Sequence, residues 1–423
     1  MTSRRARVPV PRRIASAALV TALVSPGLAA ATLPAAAAPL PAASAQQCTQ
    51  EKAQYSAESP PALARLSAER AWASATGADV VVAVVDSGVD AGNAHLTDAV
   101  LPGVDLVGVS GDPTGRTDTA GHGTAVAGQI AARGRPDLGS GVVGLAPAAA
   151  ILPVRVYYAD DDQAREQGVA PDANRIAAGI DAAVAAGVRV VNVSMSTPTD
   201  TPALRDAVAR AAAAGSLVVA SAGNRATSSD EADGPRYPAA YPGALAVTAV
   251  DVDDQPSADA IHGEHVDVAA PGTNVLTTFH AAGDCMLSGE SASTSYATAY
   301  VSAAVALLAE RYPEESPAQW AHRLEVTAAR DQPAERDDLV GWGVVRPDEA
   351  LAFVDDGTAV GPPSPVHQAA AGEAAPVRTL DVSPRVDPLA GARRDAVWWG
   401  IAGTTLVLLA ALGARVAARR RRA

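Results

Sequence analysis

Asp79-Val-Val-Val-Ala-Val-Val-Asp86-Ser87-Gly88 decides the fold. An unbroken apolar run of strand length, bounded by acidic residues and a glycine, reads as a strand covered on both faces, as in a parallel sheet flanked by helices. Asp86 then lies at the carboxyl edge of a central strand, where open α/β sheets bind ligands. Downstream the same rhythm repeats. The pattern predicts a strand over 151–157, a polar loop over 160–171, a helix over 174–187, a strand over 188–194, a helix over 201–215, and strands over 216–224 and 244–250. Alternating helices and strands argue for a right-handed, mainly parallel sheet with helices on both faces, a three-layer α/β domain. Upstream, a helix is expected over 62–75.

A second stretch carries the chemistry. From Gly289 to Leu308 the chain reads GESASTSYATAYVSAAVALL, small polar residues passing into an Ala/Val/Leu helix pattern. A serine in the first turn of a buried helix lies near unpaired backbone N–H groups and the positive end of the helix dipole, which suits a developing oxyanion. Ser291, Ser293 and Ser295 all compete for this role, and a capped core helix explains the stretch equally well. A nucleophile also requires a base and an orienting acid. His122, between Gly121 and Gly123 at the start of a helix of small residues, is a candidate base, although a lone histidine at a helix start is commonly structural. His262 and His265 lack the one-turn spacing of paired zinc ligands, and no metal or cofactor is expected.

With 48% hydrophobic and 19% charged residues in 423, the chain can bury a large core. Five arginines precede residue 46 and five follow residue 414, while all 46 acidic residues lie between. The acidic body argues against nucleic acid as a partner. Arg4 to Arg13, the apolar run 14–24 and the Ala-rich segment ending at Ala45 read as a signal peptide over 1–45. Residues 46–65 form an N-terminal arm, 66–354 the main domain and 355–395 a Pro/Ala-rich linker. Residues 396–414 carry no charge and nearly match the roughly 30 Å of a hydrocarbon core, with Trp398 and Trp399 at an interface position. The Arg-rich tail 415–423 is expected in the cytoplasm and the body outside it, a single-pass protein of the cell membrane. The only cysteines are Cys48 and Cys285; in an exported chain one disulfide between them is expected.

Asp86-Ser-Gly, Gly121-His122-Gly-Thr-x-Val-Ala-Gly128, Ser221-Ala-Gly-Asn224 and Thr294-Ser295-x-Ala297, in that order, resemble the subtilisin-like serine proteases over residues 66 to 352. The resemblance implies a subtilisin-like fold, with Ser295 as nucleophile, His122 as base and then acid, and Asp86 orienting and stabilising the imidazolium. It also implies that Asn224 and the Ser295 N–H hold the oxyanion. Ser194, Ser196, Ala220 and Gly223 would belong to the substrate pocket, Ser196 standing where the family usually has glycine. Two further positions depart: Ala299 replaces a proline harmlessly, and Ser293 replaces a glycine, where a side chain is expected to crowd the substrate or demand an awkward backbone. Signal peptide, short arm, protease domain, linker and terminal helix together are similar to the mycosins, proteases of type VII secretion systems. The expected function is a membrane-anchored extracytoplasmic serine endopeptidase acting on protein substrates, with type VII secretion components as partners. The alternative is a weakly active scaffold that stabilises a secretion complex. If the disulfide forms, the arm is expected beside the cleft, narrowing access to Ser295.

Overall fold

The computed structural model describes residues 48–367 and 389–421. The expected signal peptide and most of the expected linker lie outside the described residues. The first half of the domain contains α1 (Pro61–Arg65), α2 (Ala68–Trp72), β1 (Val81–Asp86), β2 (Val104–Asp105), α3 (His122–Ala131), β3 (Ala150–Arg155), α4 (Asp162–Glu166), α5 (Ala173–Ala185) and β4 (Val190–Val193). It continues through α6 (Pro202–Ala213), β5 (Leu217–Ser221), β6 (Ala244–Val250), β7 (Val268–Pro271), β8 (Val275–Thr278), β9 (Asp284–Leu287), α7 (Thr294–Arg311), α8 (Pro317–Thr327) and α9 (Pro347–Ala352). A last helix, α10, runs from Ala390 to Arg420.

Seven strands form one parallel sheet in the order β2-β3-β1-β4-β5-β6-β7. Strand β1 is covered on both faces as its apolar run requires: Val82 and Val84 face the layer of α3 and α7, while Ala83 and Val85 face the layer of α5 and α6. From β1 the chain steps to β3 on one side and then to β4 on the other. The strand order therefore reverses at the carboxyl end of β1, and the crevice such a reversal opens lies beside Asp86. Helix α7 is buried nearly all round, from Thr294 to Ala309. Its Ala-rich composition lets the sheet and α3 approach closely, and Ala299, fully buried, continues the helix without a proline's missing donor.

Local chemistry explains most element starts. Asp172 accepts hydrogen bonds from the N–H groups of Asn174 and Arg175 at the head of α5, and Thr201 caps α6 ahead of Pro202. Asp161 caps α4, a short helix inside the loop expected over 160–171. The single helix expected over 62–75 is two short ones, because Ser67 takes a left-handed φ of 52° between them. Strands expected over 188–194 and 216–224 end earlier, and Ser194 and Ala222 to Asn224 leave the ladder at the crevice.

The expected disulfide joins Cys48 to Cys285, with α-carbons 5.8 Å apart. Beside it the arm pairs with the start of β9: Gln54 N–H donates to the Ala282 carbonyl at 2.9 Å, and the Gln54 carbonyl accepts from the Asp284 N–H at 2.7 Å. Ser56 N–H then reaches the buried Asp284 carboxylate at 2.9 Å, whose other oxygen lies 2.9 Å from His95 Nε2. A closed loop of 237 residues gives the bridge up to roughly 5 kcal/mol in the chain-entropy account. Helix α10 is exposed along its described length, and residues 391–420 are long and apolar enough to cross a membrane by length and composition.

Candidate active site

Three element ends converge at the crevice. Asp86 ends β1 and is fully buried. His122 is the first residue of α3, which can begin there because Gly121 adopts a φ of 81°. A side chain at Gly121 would also collide with the His280 ring, so glycine serves both backbone and space here. Imidazole Nδ1 of His122 lies 2.8 and 3.0 Å from the two oxygens of the Asp86 carboxylate. That carboxylate also accepts from Ser87 N–H at 2.8 Å and from the Tyr157 hydroxyl at 3.1 Å.

Burial lowers the affinity of His122 for a proton, but the charge and hydrogen bond of Asp86, reinforced by Asp118 and Asp160, outweigh it. Its pKa is raised above the ordinary 6.5. Asp118 is itself fixed at the head of α3, accepting from Gly121 N–H and from the N–H and hydroxyl of Thr124. The phenol of Tyr157 is pushed well above its usual pKa by burial and by Asp86, so it stays protonated and donates.

Ser295 is the second residue of α7 and lines the same cleft as His122, Ser194, Ser196, Ser221 and Asn224, a space of about 960 Å³. Its hydroxyl donates to the Ser194 carbonyl at 2.8 Å, and the Ser194 hydroxyl donates back to the Ser295 carbonyl at 2.9 Å. This reciprocal pair pins the first turn of α7 to the end of β4. Among the described residues Ser295 Oγ makes no hydrogen bond to His122, and catalytic hydrogen bonds are often long before substrate is bound. Asn224 accepts the Thr294 N–H through Oδ1 at 2.9 Å, which leaves its Nδ2 donor for a ligand.

The other candidate residues fall differently. Ser291 donates to the Asp259 carboxylate at 2.7 Å and does not line the cleft. Ser293 caps α7 from ordinary extended backbone, φ −117°, so the awkward conformation expected there does not arise. Ala220 is wholly buried in β5, and Gly223 lies just past the end of that strand, covered by Ser196, Arg236 and Ile261. No described arm residue lines the cleft. The disulfide holds the arm against Gly283 and Asp284, and Gln50 reaches the His280 ring that stands against Gly121. Among the described residues, Tyr157 is the one polar partner of Asp86 that the sequence motifs did not single out.

A serine at a buried helix N-terminus, sharing a cleft with a histidine clamped by a buried carboxylate, is the arrangement of a serine hydrolase. Comparison with known proteins narrows the class. The subtilase family profile matches residues 77–343. Subtilisin DY of Bacillus licheniformis is 34% identical over 252 residues, 60% of this chain and 84% of that protein. Two solved structures superpose with a TM-score of 0.61 and 29% identity: MycP1 from the ESX-1 type VII secretion system, covering 73% of this chain and 89% of that one, and the MycP3 protease from the type VII (ESX-3) secretion system, covering 73% and 91%. The chain belongs to the subtilase family and is a serine endopeptidase, in agreement with the resemblance read from its motifs.

Proposed function

We propose that this chain is a membrane-anchored, extracytoplasmic endopeptidase that cleaves protein substrates through Asp86, His122 and Ser295, in association with a type VII secretion complex. The observation that carries the reading is the His122 imidazole, bonded through Nδ1 to Asp86 and sharing one cleft with Ser295 and Asn224. With Nδ1–H held by the carboxylate, the other ring nitrogen is free to accept the Ser295 proton as Oγ adds to the scissile carbonyl. The oxyanion is received by Asn224 Nδ2 and the Ser295 N–H, which has no helical acceptor in the first turn. The imidazolium returns its proton to the departing amine, the acyl-enzyme forms, and water repeats the sequence to release the acid.

Replacing Asn224 by Ala is expected to lower kcat by about 10² to 10³ with a smaller change in KM, a range that comes from a subtilisin, a relative of this chain. An unchanged kcat removes Asn224 from the oxyanion site. The reading as a whole is tested by covalent labelling of Ser295 with a fluorophosphonate, and a full chain that resists the reagent is not a working hydrolase.

The anchor and the secretion partner rest on different support. Helix α10 has the length and composition of a span, and the arginines at its far end favour the cytoplasmic side. The two superposed structures carry type VII secretion in their descriptions. Protease added to intact spheroplasts is expected to cut near residues 356 to 394 and release the body. Cleavage confined to the Arg415–Arg420 end reverses the orientation.

A further inference from the structure

In the subtilase reading, a peptide whose carbonyl carbon meets Ser295 Oγ, with its oxygen at Asn224, lays the side chain before the scissile bond between the two segments that the resemblance assigns to the substrate pocket. One is Ser194 to Ser196, beyond β4, and the other is Ala222 to Gly223, beyond β5. Ser295 touches the first through Ser194 and Thr294 touches the second through Asn224, so both walls are fixed relative to the nucleophile.

The gap between those walls is already occupied. A β-carbon placed on Gly223 would lie 3.1 Å from Ser196 Oγ, 3.0 Å from Arg236 Cγ and 3.3 Å from Ile261 Cγ1. The Ser196 hydroxyl and the Arg236 stem therefore already lie against the Gly223 α-carbon. The backbones that carry them are tied to one another. Thr197 and Tyr237 exchange two backbone hydrogen bonds of 2.9 Å, which lock the segment carrying Ser196 to the one carrying Arg236. Arg236, 2% exposed, spends its guanidinium on the carbonyls of Asp230 at 2.6 Å and Ala232 at 2.8 Å, with weaker bonds to Gly234 and Pro235. Gly223 itself stands at φ +104°, held by the turn it makes.

We propose that Ser196, backed by Arg236, closes the primary specificity slot one carbon deep, so that the protease cleaves after glycine, alanine or serine and rejects leucine and phenylalanine. This rests on the proposed protease reading, and it adds the substrate class.

The test uses the full-length chain in detergent micelles and two kinds of probe. A fluorophosphonate without a peptide reports whether Ser295 is reactive. Peptidyl diphenyl phosphonates, identical except for Ala, Leu, Phe or Glu before the phosphorus, report the slot through their labelling rates. The Ala probe is expected to label at least about 100-fold faster than the Phe probe, beyond what a single methylene decides. Ser196→Gly is expected to raise the Phe-to-Ala ratio by at least about tenfold, and Ser196→Ala, which keeps the β-carbon, by less. If wild type takes Phe or Leu as fast as Ala, or the ratio is unmoved in both variants while each still reacts with the fluorophosphonate, the slot is not closed by Ser196. Equal or faster labelling by the Glu probe overturns the size rule in favour of the Arg236 charge. Failure of wild type to react with the fluorophosphonate overturns the protease reading and this inference with it, and is distinguished by the absence of any peptide in that probe.

Discussion

Ser295→Ala is expected to abolish fluorophosphonate labelling and to lower turnover by about 10⁶, the loss recorded when a subtilisin, a relative of this chain, loses its nucleophile alone. The size follows from the site. Without Oγ there is no group in the cleft that both reaches His122 and sits at the first turn of α7, so only the oxyanion donors and substrate binding remain. No neighbouring serine can substitute. Ser291 is committed to Asp259 outside the cleft, and Ser293, at the cap, lies before the first helical turn. The fold is expected to survive, because the Ser194 hydroxyl still donates to the carbonyl of residue 295 and Asn224 still accepts from Thr294 N–H. Intact protein mass before and after the reagent checks the loss of labelling. Residual labelling at Ser291, or unchanged turnover, places the nucleophile elsewhere.

Asp86, His122 and Ser295 were singled out by the subtilisin-like motifs, since the residues alone left Ser291, Ser293 and Ser295 open; periodicity placed only the element ends, those of an all-apolar strand, a helix of small residues and an Ala-rich helix buried nearly all round. Element ends at one edge of a parallel sheet gather in space, so their convergence follows from topology. Tyr157 was illegible for the converse reason. Its contact with Asp86 depends on β3 lying beside β1 in a register that pairs Asp86 with Arg155, and nothing within either strand states that register. The arm's disulfide was inferable from two cysteines in a chain read as exported, but the side of the domain it follows is set by the buried Asp284, which receives Ser56 N–H and the Ser140 hydroxyl, and by the pairing of Gln54 with Gly283. The helix break at Ser67 was missed because an apolar pattern locates a covered stretch and a helix can stop within it, whereas α10 runs past the uncharged 396–414 segment at both ends. Ser293 shows a family pattern misleading in detail: the glycine it replaces is not required by the backbone here.

Asp86→Asn is expected to lower kcat by about 10⁴ while leaving the cleft in place, the loss seen for the corresponding change in another serine protease. The reason lies in how many donors the carboxylate serves. Oδ1 accepts from Ser87 N–H, Tyr157 O–H and His122 Nδ1, whereas Oδ2 faces His122 alone at 3.0 Å. An asparagine keeps its oxygen at the crowded position and turns its NH₂ toward the imidazole. That group donates to Nδ1, moves the ring proton to the nitrogen facing Ser295, and leaves the hydroxyl without a base. The same substitution moves the pH dependence. In the native site the charge and bond of Asp86 raise the His122 pKa above 6.5 against burial, which lowers it. Since catalysis needs the neutral ring, the acid limb of kcat/KM in the native protein is expected above pH 6.5. Without the negative charge the burial contribution remains and the pKa falls, with Asp118 and Asp160 still holding it up in part. The limb of the residual activity is therefore expected at lower pH than in the native protein. A pH profile of kcat/KM for both proteins measures this, and a limb that stays in place, or one that moves upward, shows that Asp86 does not govern the proton on His122.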